Sequence, residues 1–158
     1  LVDNGRLDTG DQEDQLVEFM LDHAAFFTKN HLKIVFESDF PPAELARFIE
    51  RLNPEIFGIN YDVGNSAALG FNPEEEFAAY GHRILNVHIK DRVLGGTTVA
   101  LGTGNANFEA VFKELGSIYY QGNFILQTAR AEDDDHATPL VHYRDMTSDW
   151  IEQFGLHV

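Results

Sequence analysis

Four short apolar segments of this chain each close on a side chain that can bind a metal or accept a hydrogen bond, and this arrangement constrains the fold more than any other feature. They are KIVFE ending at Glu37, IFGINYD ending at Asp62, ILNVHIKDR with His88 near its close, and NFILQ ending at Gln127. Short runs rich in β-branched and aromatic residues read as strands. Glu37, Asp62 and His88 follow one another at roughly 25 residues, the length of one strand, one helix and two loops. The interval from His88 to Gln127 is longer because it carries a glycine-rich insert.

Side chains alternate across a strand. One set is therefore Lys33, Val35 and Glu37; Gly58, Asn60 and Asp62; Ile84, Asn86 and His88; and Asn123, Ile125 and Gln127. The other is Ile34 and Phe36; Phe57, Ile59 and Tyr61; Leu85, Val87 and Ile89; and Phe124 and Leu126. The second set is almost wholly apolar. In a parallel sheet covered by helices the apolar face meets the helices, which leaves the mixed set facing a shared interior, with its last members converging at the carboxyl end.

Helical spacing fills the intervals. Leu16, Met20, Ala24 and Phe27 predict a covering helix from about Asp11 to Lys29, and Leu45, Phe48, Ile49 and Leu52 predict another after Pro41 and Pro42. The alanine-rich stretch after Asn65 suits either loop or a short helical turn. Asn72, Pro73 and the acids Glu74, Glu75 and Glu76 mark a helix start, and the triple glutamate reads as a solvated terminus. Phe108, Val111, Phe112 and Leu115 form one helix face, and Leu140, Trp150, Ile151 and Phe154 a last one closed by Gly155. Leu1 and Val2 open the chain like the end of a strand already under way, and Glu132 to Asp135 read as an exposed acidic loop. Strands alternating with helices give an α/β layout with a parallel sheet.

Between Arg92 and the helix that carries Phe108 runs LGTGNANF, where the backbone amides at Gly102 and Gly104 offer a site for phosphate. Lys90, Arg92 and Arg130 are candidate phosphate contacts and equally plain surface cations. Asn65 could meet a substrate hydroxyl, though a turn residue needs no such role. Asp91 could orient Lys90 or a loop and receives no catalytic role.

At 158 residues and 44% hydrophobic content the chain can bury a real core. A formal net charge of −15 with no basic patch disfavours nucleic acid. No apolar run reaches the roughly 18 residues a membrane span needs, so no membrane partner and a cytoplasmic setting are expected. Without cysteine, any metal must be held by histidine and oxygen ligands.

With Glu37, Asp62, His88 and Gln127 in place, the chain resembles the sugar-phosphate isomerase/epimerase family, the xylose-isomerase-like barrels. The similarity runs from VDNGRL through FES, YDVGN, VHIKDR, LGTGNANF and ILQTAR, and is nearest the branch of ketose-phosphate 3-epimerases and hexulose-phosphate isomerases. It implies a single domain over 1–158 that is the carboxyl-terminal portion of a (β/α)8 TIM barrel, about its last four to five strand-helix units. The family barrel has eight strands. The barrel is then incomplete, and its amino-terminal half or a second copy of the chain is needed as a partner.

In that family a glutamate, an aspartate, a histidine and a second glutamate hold a divalent ion. The resemblance carries metal ligation onto Glu37, Asp62, His88 and Gln127, and the catalytic positions onto Glu37 and Gln127. Mn, Mg or Co suits such oxygens and one nitrogen, and Zn remains open. Gln127 departs from the pattern, because an amide cannot take a proton at neutral pH. One carboxylate favours a one-base isomerisation of a ketose or ketose phosphate over two-base epimerisation. The alternatives are a non-catalytic sugar-binding fragment of the same fold, a dehydratase or hydroxypyruvate isomerase of the superfamily, and an apurinic endonuclease-like enzyme.

Overall fold

The computed structural model describes residue 7 and residues 9–131 and 135–156. The expected strand remnant at Leu1 and Val2, and Glu132 to Asp134 of the acidic run, lie outside the described residues. The elements follow in the order α1 (Gly10–Lys29), β1 (Ile34–Phe36), α2 (Pro42–Ile49), β2 (Phe57–Asp62), α3 (Val63–Leu69), α4 (Pro73–Tyr80), β3 (Ile84–Ile89), β4 (Asp91–Arg92), β5 (Thr98–Val99), α5 (Phe108–Ser117), β6 (Asn123–Leu126) and α6 (Ala137–Gln153). Strands β1, β2, β3 and β6 form one sheet in that order, every pair parallel. The short β4–β5 antiparallel pair, hidden in the glycine-rich insert, had no periodic signal in the sequence.

Local chemistry sets the helix ends. Thr9 and Gln12 close a capping box at the start of α1, Asn72 accepts from the Glu74 amide ahead of Pro73, and Asn107 accepts from the Ala110 amide. The alanine-rich stretch is helical: Asp62 caps α3, which ends on Gly70 at φ 74, a left-handed conformation suited to glycine.

The core lies between the sheet and its helices. Phe57, Ile59, Val87 and Ile89 meet Phe48, Ile49, Val111, Phe112 and Leu115, all buried. Full burial of such a side chain contributes about 1.5–3 kcal/mol. Trp150 of α6 stacks on Phe108 with ring centroids 4.5 Å apart, whereas Leu140, expected on the same buried stripe, is exposed. Glu13 clamps α1 to α2 by accepting from Arg47 and Arg51, and the Arg47 guanidinium holds its carboxyl below the usual range.

One pair of residues departs from strict alternation. The β2–β3 register shifts between Ile59 and Asn60, so that Ile59 pairs with Ile84 and Asn60 with Asn86. The bulge reverses the two preceding positions: Ile84 joins the core, and Leu85 lies over Gly58, where a Cβ would overlap its side chain. From Asn86 onward the expected alternation holds, with Val87 and Ile89 buried. The inner face is open at both outer strands, where Val35 is 39% and Ile125 46% exposed. Among the described residues no helix is long and apolar enough to cross a membrane.

Candidate metal centre

Three strand ends deliver three potential ligands to one place. Glu37 follows β1, Asp62 closes β2, and His88 stands in β3 directly opposite Asp62 in the parallel register. One ligand atom from each lies within 4.8 Å of the other two. His88 Nδ1 is 3.5 Å from Glu37 Oε2 and 3.7 Å from Asp62 Oδ2.

The cluster is tightly positioned. Asp62 Oδ1 accepts the Asn65 backbone amide at 2.8 Å, which makes the ligand aspartate also the cap of α3. Asn65 Nδ2 donates to Glu37 Oε1 at 2.7 Å, and Asn60 Nδ2 donates to Glu37 Oε2 at 2.6 Å while lying 3.1 Å from His88 Nδ1. The last contact is a hydrogen bond when Nδ1 carries no proton, which is also the form a metal requires. Burial pushes the Asp62 carboxyl up from its ordinary range, against the opposing pull of the Asn65 amide and the Lys90 ammonium.

The donor set fits a divalent cation. Two carboxylates and an imidazole converge from rigid strands, two of their partners being amides that leave the carboxylates' charge intact. Glu37, Asp62 and His88 would hold the ion. Gln127 reaches the same mouth through Lys90, whose Nζ donates to Gln127 Oε1 at 3.2 Å and to Asp62 Oδ2 at 3.4 Å.

The candidate substrate contacts are mostly committed within the protein. Arg92 donates through Nη1 to Asn65 Oδ1 and through Nε and Nη2 to Gly96 O, so it and Asn65 form part of the scaffold around Glu37. The amides of Gly102 and Gly104, expected to face phosphate, both donate to Asp91 Oδ2, and the Ala106 amide donates to Oδ1. A carboxylate of the same chain thus fills the anion cradle. Gly104 is required there because a Cβ would overlap the Asp91 carboxylate. Arg130 lies exposed in the loop after β6, outside these bonded groups.

Glu76 corrects a second expectation. It is 2% exposed, not solvated, and accepts from Tyr61 at 2.8 Å, Tyr80 at 2.7 Å and Ser66. Burial is the largest influence raising both its carboxyl and the Tyr61 and Tyr80 hydroxyls. The spacing of Glu76, Phe77 and Tyr80 on one helical face was the available signal, masked by the charged neighbours Glu74 and Glu75.

Comparison with known proteins agrees with this layout. A sequence model described as a xylose isomerase-like TIM barrel matches residues 3–148. The inosose dehydratase of Geobacillus kaustophilus is 26% identical over 133 residues, which cover 73% of this chain and 42% of that protein. A xylose isomerase domain protein from Planctomyces limnophilus superposes with a TM-score of 0.79 at 22% identity, covering 96% of this chain and 57% of its own. The IolI protein with a bound zinc atom gives 0.76 at 18%, covering 98% and 61%. The chain spans less than two thirds of each of these proteins.

Proposed function

Because the chain belongs to the xylose isomerase-like TIM-barrel family, we propose that it carries the metal-binding half of an enzyme that removes a proton beside the carbonyl of a ketose or ketose phosphate. The observation that carries this reading is the convergence of Glu37, Asp62 and His88 at one end of a parallel sheet. A divalent ion held there would supply electrophilic polarisation of a carbonyl and its neighbouring hydroxyl. Mn, Mg, Co and Zn are all compatible with the donor set.

The protein's own residues have distinct tasks. Glu37 is the proton acceptor, held by two amides and facing the open side of the sheet. Lys90 places a positive charge between Asp62 and Gln127, where negative charge develops on the substrate oxygen. Gln127 accepts from Lys90 and cannot serve as a second base. This favours isomerisation through one base over epimerisation through two. Loss of water from a hydroxyketone shares the same first step, and the likeness to inosose dehydratase supports it as a second reading.

The exposed inner-face residues Val35 and Ile125, together with the partial coverage of the relatives, support the further reading that 1–158 forms the carboxyl-terminal part of a barrel. Its first strands would come from another polypeptide segment or a second copy.

Solvent deuterium exchange reads the shared step without assuming a product. Free ketoses, ketose phosphates and inososes are incubated in D2O with Mn and with the chain, alone and mixed with a polypeptide supplying the first strands. We expect wash-in beside the carbonyl of one class, lost in Glu37→Gln. Metal binding without exchange in every mixture would favour a non-catalytic sugar-binding role.

A further inference from the structure

Each oxygen of Glu37 is held by its own amide, and each amide is fixed from behind. Asn60 Nδ2 donates to Oε2, and Asn60 Oδ1 accepts from Asn86 Nδ2 at 2.7 Å. Asn65 Nδ2 donates to Oε1, and Asn65 Oδ1 accepts from Arg92 Nη1 at 2.8 Å. A primary amide has one donating and one accepting end, and a carboxylate can only accept, so the NH2 meets Glu37 and the group that fixes the amide from behind must donate to its oxygen. A guanidinium can only donate. It therefore holds the Asn65 oxygen toward itself and the NH2 toward Glu37.

Arg92 is well placed for this. Its Nε and Nη2 grip Gly96 O at 3.0 and 2.6 Å, which leaves Nη1 directed at Asn65. The tight turn that supplies this carbonyl is closed by the Gly96 amide bonding to Val93 O at 2.9 Å. The rigid planar fork spans two acceptors on opposite sides, which the compact ammonium of a lysine does not reproduce.

We propose that Arg92 is a positioning residue for Glu37, acting through the Asn65 amide, rather than a contact for substrate phosphate. The proposal rests on the reading of Glu37 as a metal-binding, proton-accepting carboxylate. It has a consequence opposite in sign to simple electrostatics. Removing a nearby positive charge should tighten the binding of a cation, whereas freeing the Asn65 amide loosens the bond its NH2 makes to Glu37 Oε1 and should weaken it. Outer partners of metal ligands typically control affinity by about 10–100-fold.

Two measurements on the full chain test this. Hydrogen exchange of the Asn65 side-chain amide, followed by NMR without metal, is compared in wild type, Arg92→Met and Arg92→Lys. Calorimetric titration with Co2+ covers the same proteins, Asn65→Ala, the Arg92→Met/Asn65→Ala double variant and Arg144→Met as an exposed charge control. We expect exchange at Asn65 to speed at least about tenfold in Arg92→Met, with only partial recovery in Arg92→Lys. Co2+ affinity should fall about tenfold in Arg92→Met, and the double variant should bind no worse than Asn65→Ala. Unchanged Asn65 exchange, tighter Co2+ binding in Arg92→Met, or additive losses would each overturn the role. If wild type binds no Co2+, the metal reading fails, while Asn65 exchange still decides whether Arg92 holds the amide.

Discussion

Lys90 Nζ lies 3.4 Å from Asp62 Oδ2, so an ammonium group touches one of the proposed metal ligands. It is also bonded to Gln127 Oε1. Its stem passes over Gly64, where a Cβ would overlap Lys90 Cγ and its backbone. The sequence places a glycine in the first turn of α3 at the position where the lysine must cross it.

Neutralising this ammonium should strengthen cation binding. In Lys90→Gln, Mn2+ affinity by calorimetry is expected to rise about tenfold, because a positive charge near a divalent ion costs several kcal/mol before solvent screening. Unchanged or weaker binding would show that Lys90 turns away from the site in solution.

Gln127→Glu tests the fourth position. A carboxylate there would face the Lys90 ammonium and add negative charge beside the cluster, so Mn2+ binding should tighten, by about tenfold if the new oxygen joins the coordination sphere. The same variant supplies the opposed base that Gln127 lacks, and epimerised product beside the isomer is the expected gain in the active assembly.

Glu76 should leave a signature in the pH dependence of stability. Burial raises its folded pKa above the ordinary value it has in the unfolded chain, so the folded state holds the proton more tightly. Its contribution is fully present below the unfolded value and is lost as pH rises through the folded one. Urea unfolding of wild type and Glu76→Gln from pH 4 to 8 should therefore show the variant gaining relative stability with increasing pH. Glu76→Ala should instead lose about 3 kcal/mol, since three buried hydroxyls lose their acceptor.

Asp91 is 1% exposed and accepts three backbone amides of the glycine-rich loop. Asp91→Ala should cost about 3 kcal/mol by denaturant unfolding and speed exchange at the Gly102, Gly104 and Ala106 amides. Exchange unchanged at all three would mean that the loop is held by other bonds.

Much of this architecture was readable because strands and covering helices leave periodic traces. Alternation placed Phe57, Ile59, Val87 and Ile89 on the helix side, and the strand-end pattern brought Glu37, Asp62 and His88 together. Ile84 and Leu85 were misplaced because a one-residue bulge leaves no mark in composition. The glycine-rich loop looked like a phosphate cradle because glycine reports free amides without saying what occupies them. Asp91, a neighbour of His88 in sequence, supplies the anion. Glu76 and Arg92 were hidden for a common reason. A charged side chain reads as solvent-facing until its partners, here Tyr61, Tyr80 and Ser66 or Asn65 and Gly96, are known.

The most direct measurement is the stoichiometry and spectrum of Co2+ bound to the chain, compared among wild type, Asp62→Asn and His88→Ala. The account predicts one ion per chain, visible bands that reflect a nitrogen ligand, and loss of high-affinity binding in both variants. An ion bound with undiminished affinity in both, or none bound by wild type, would contradict it.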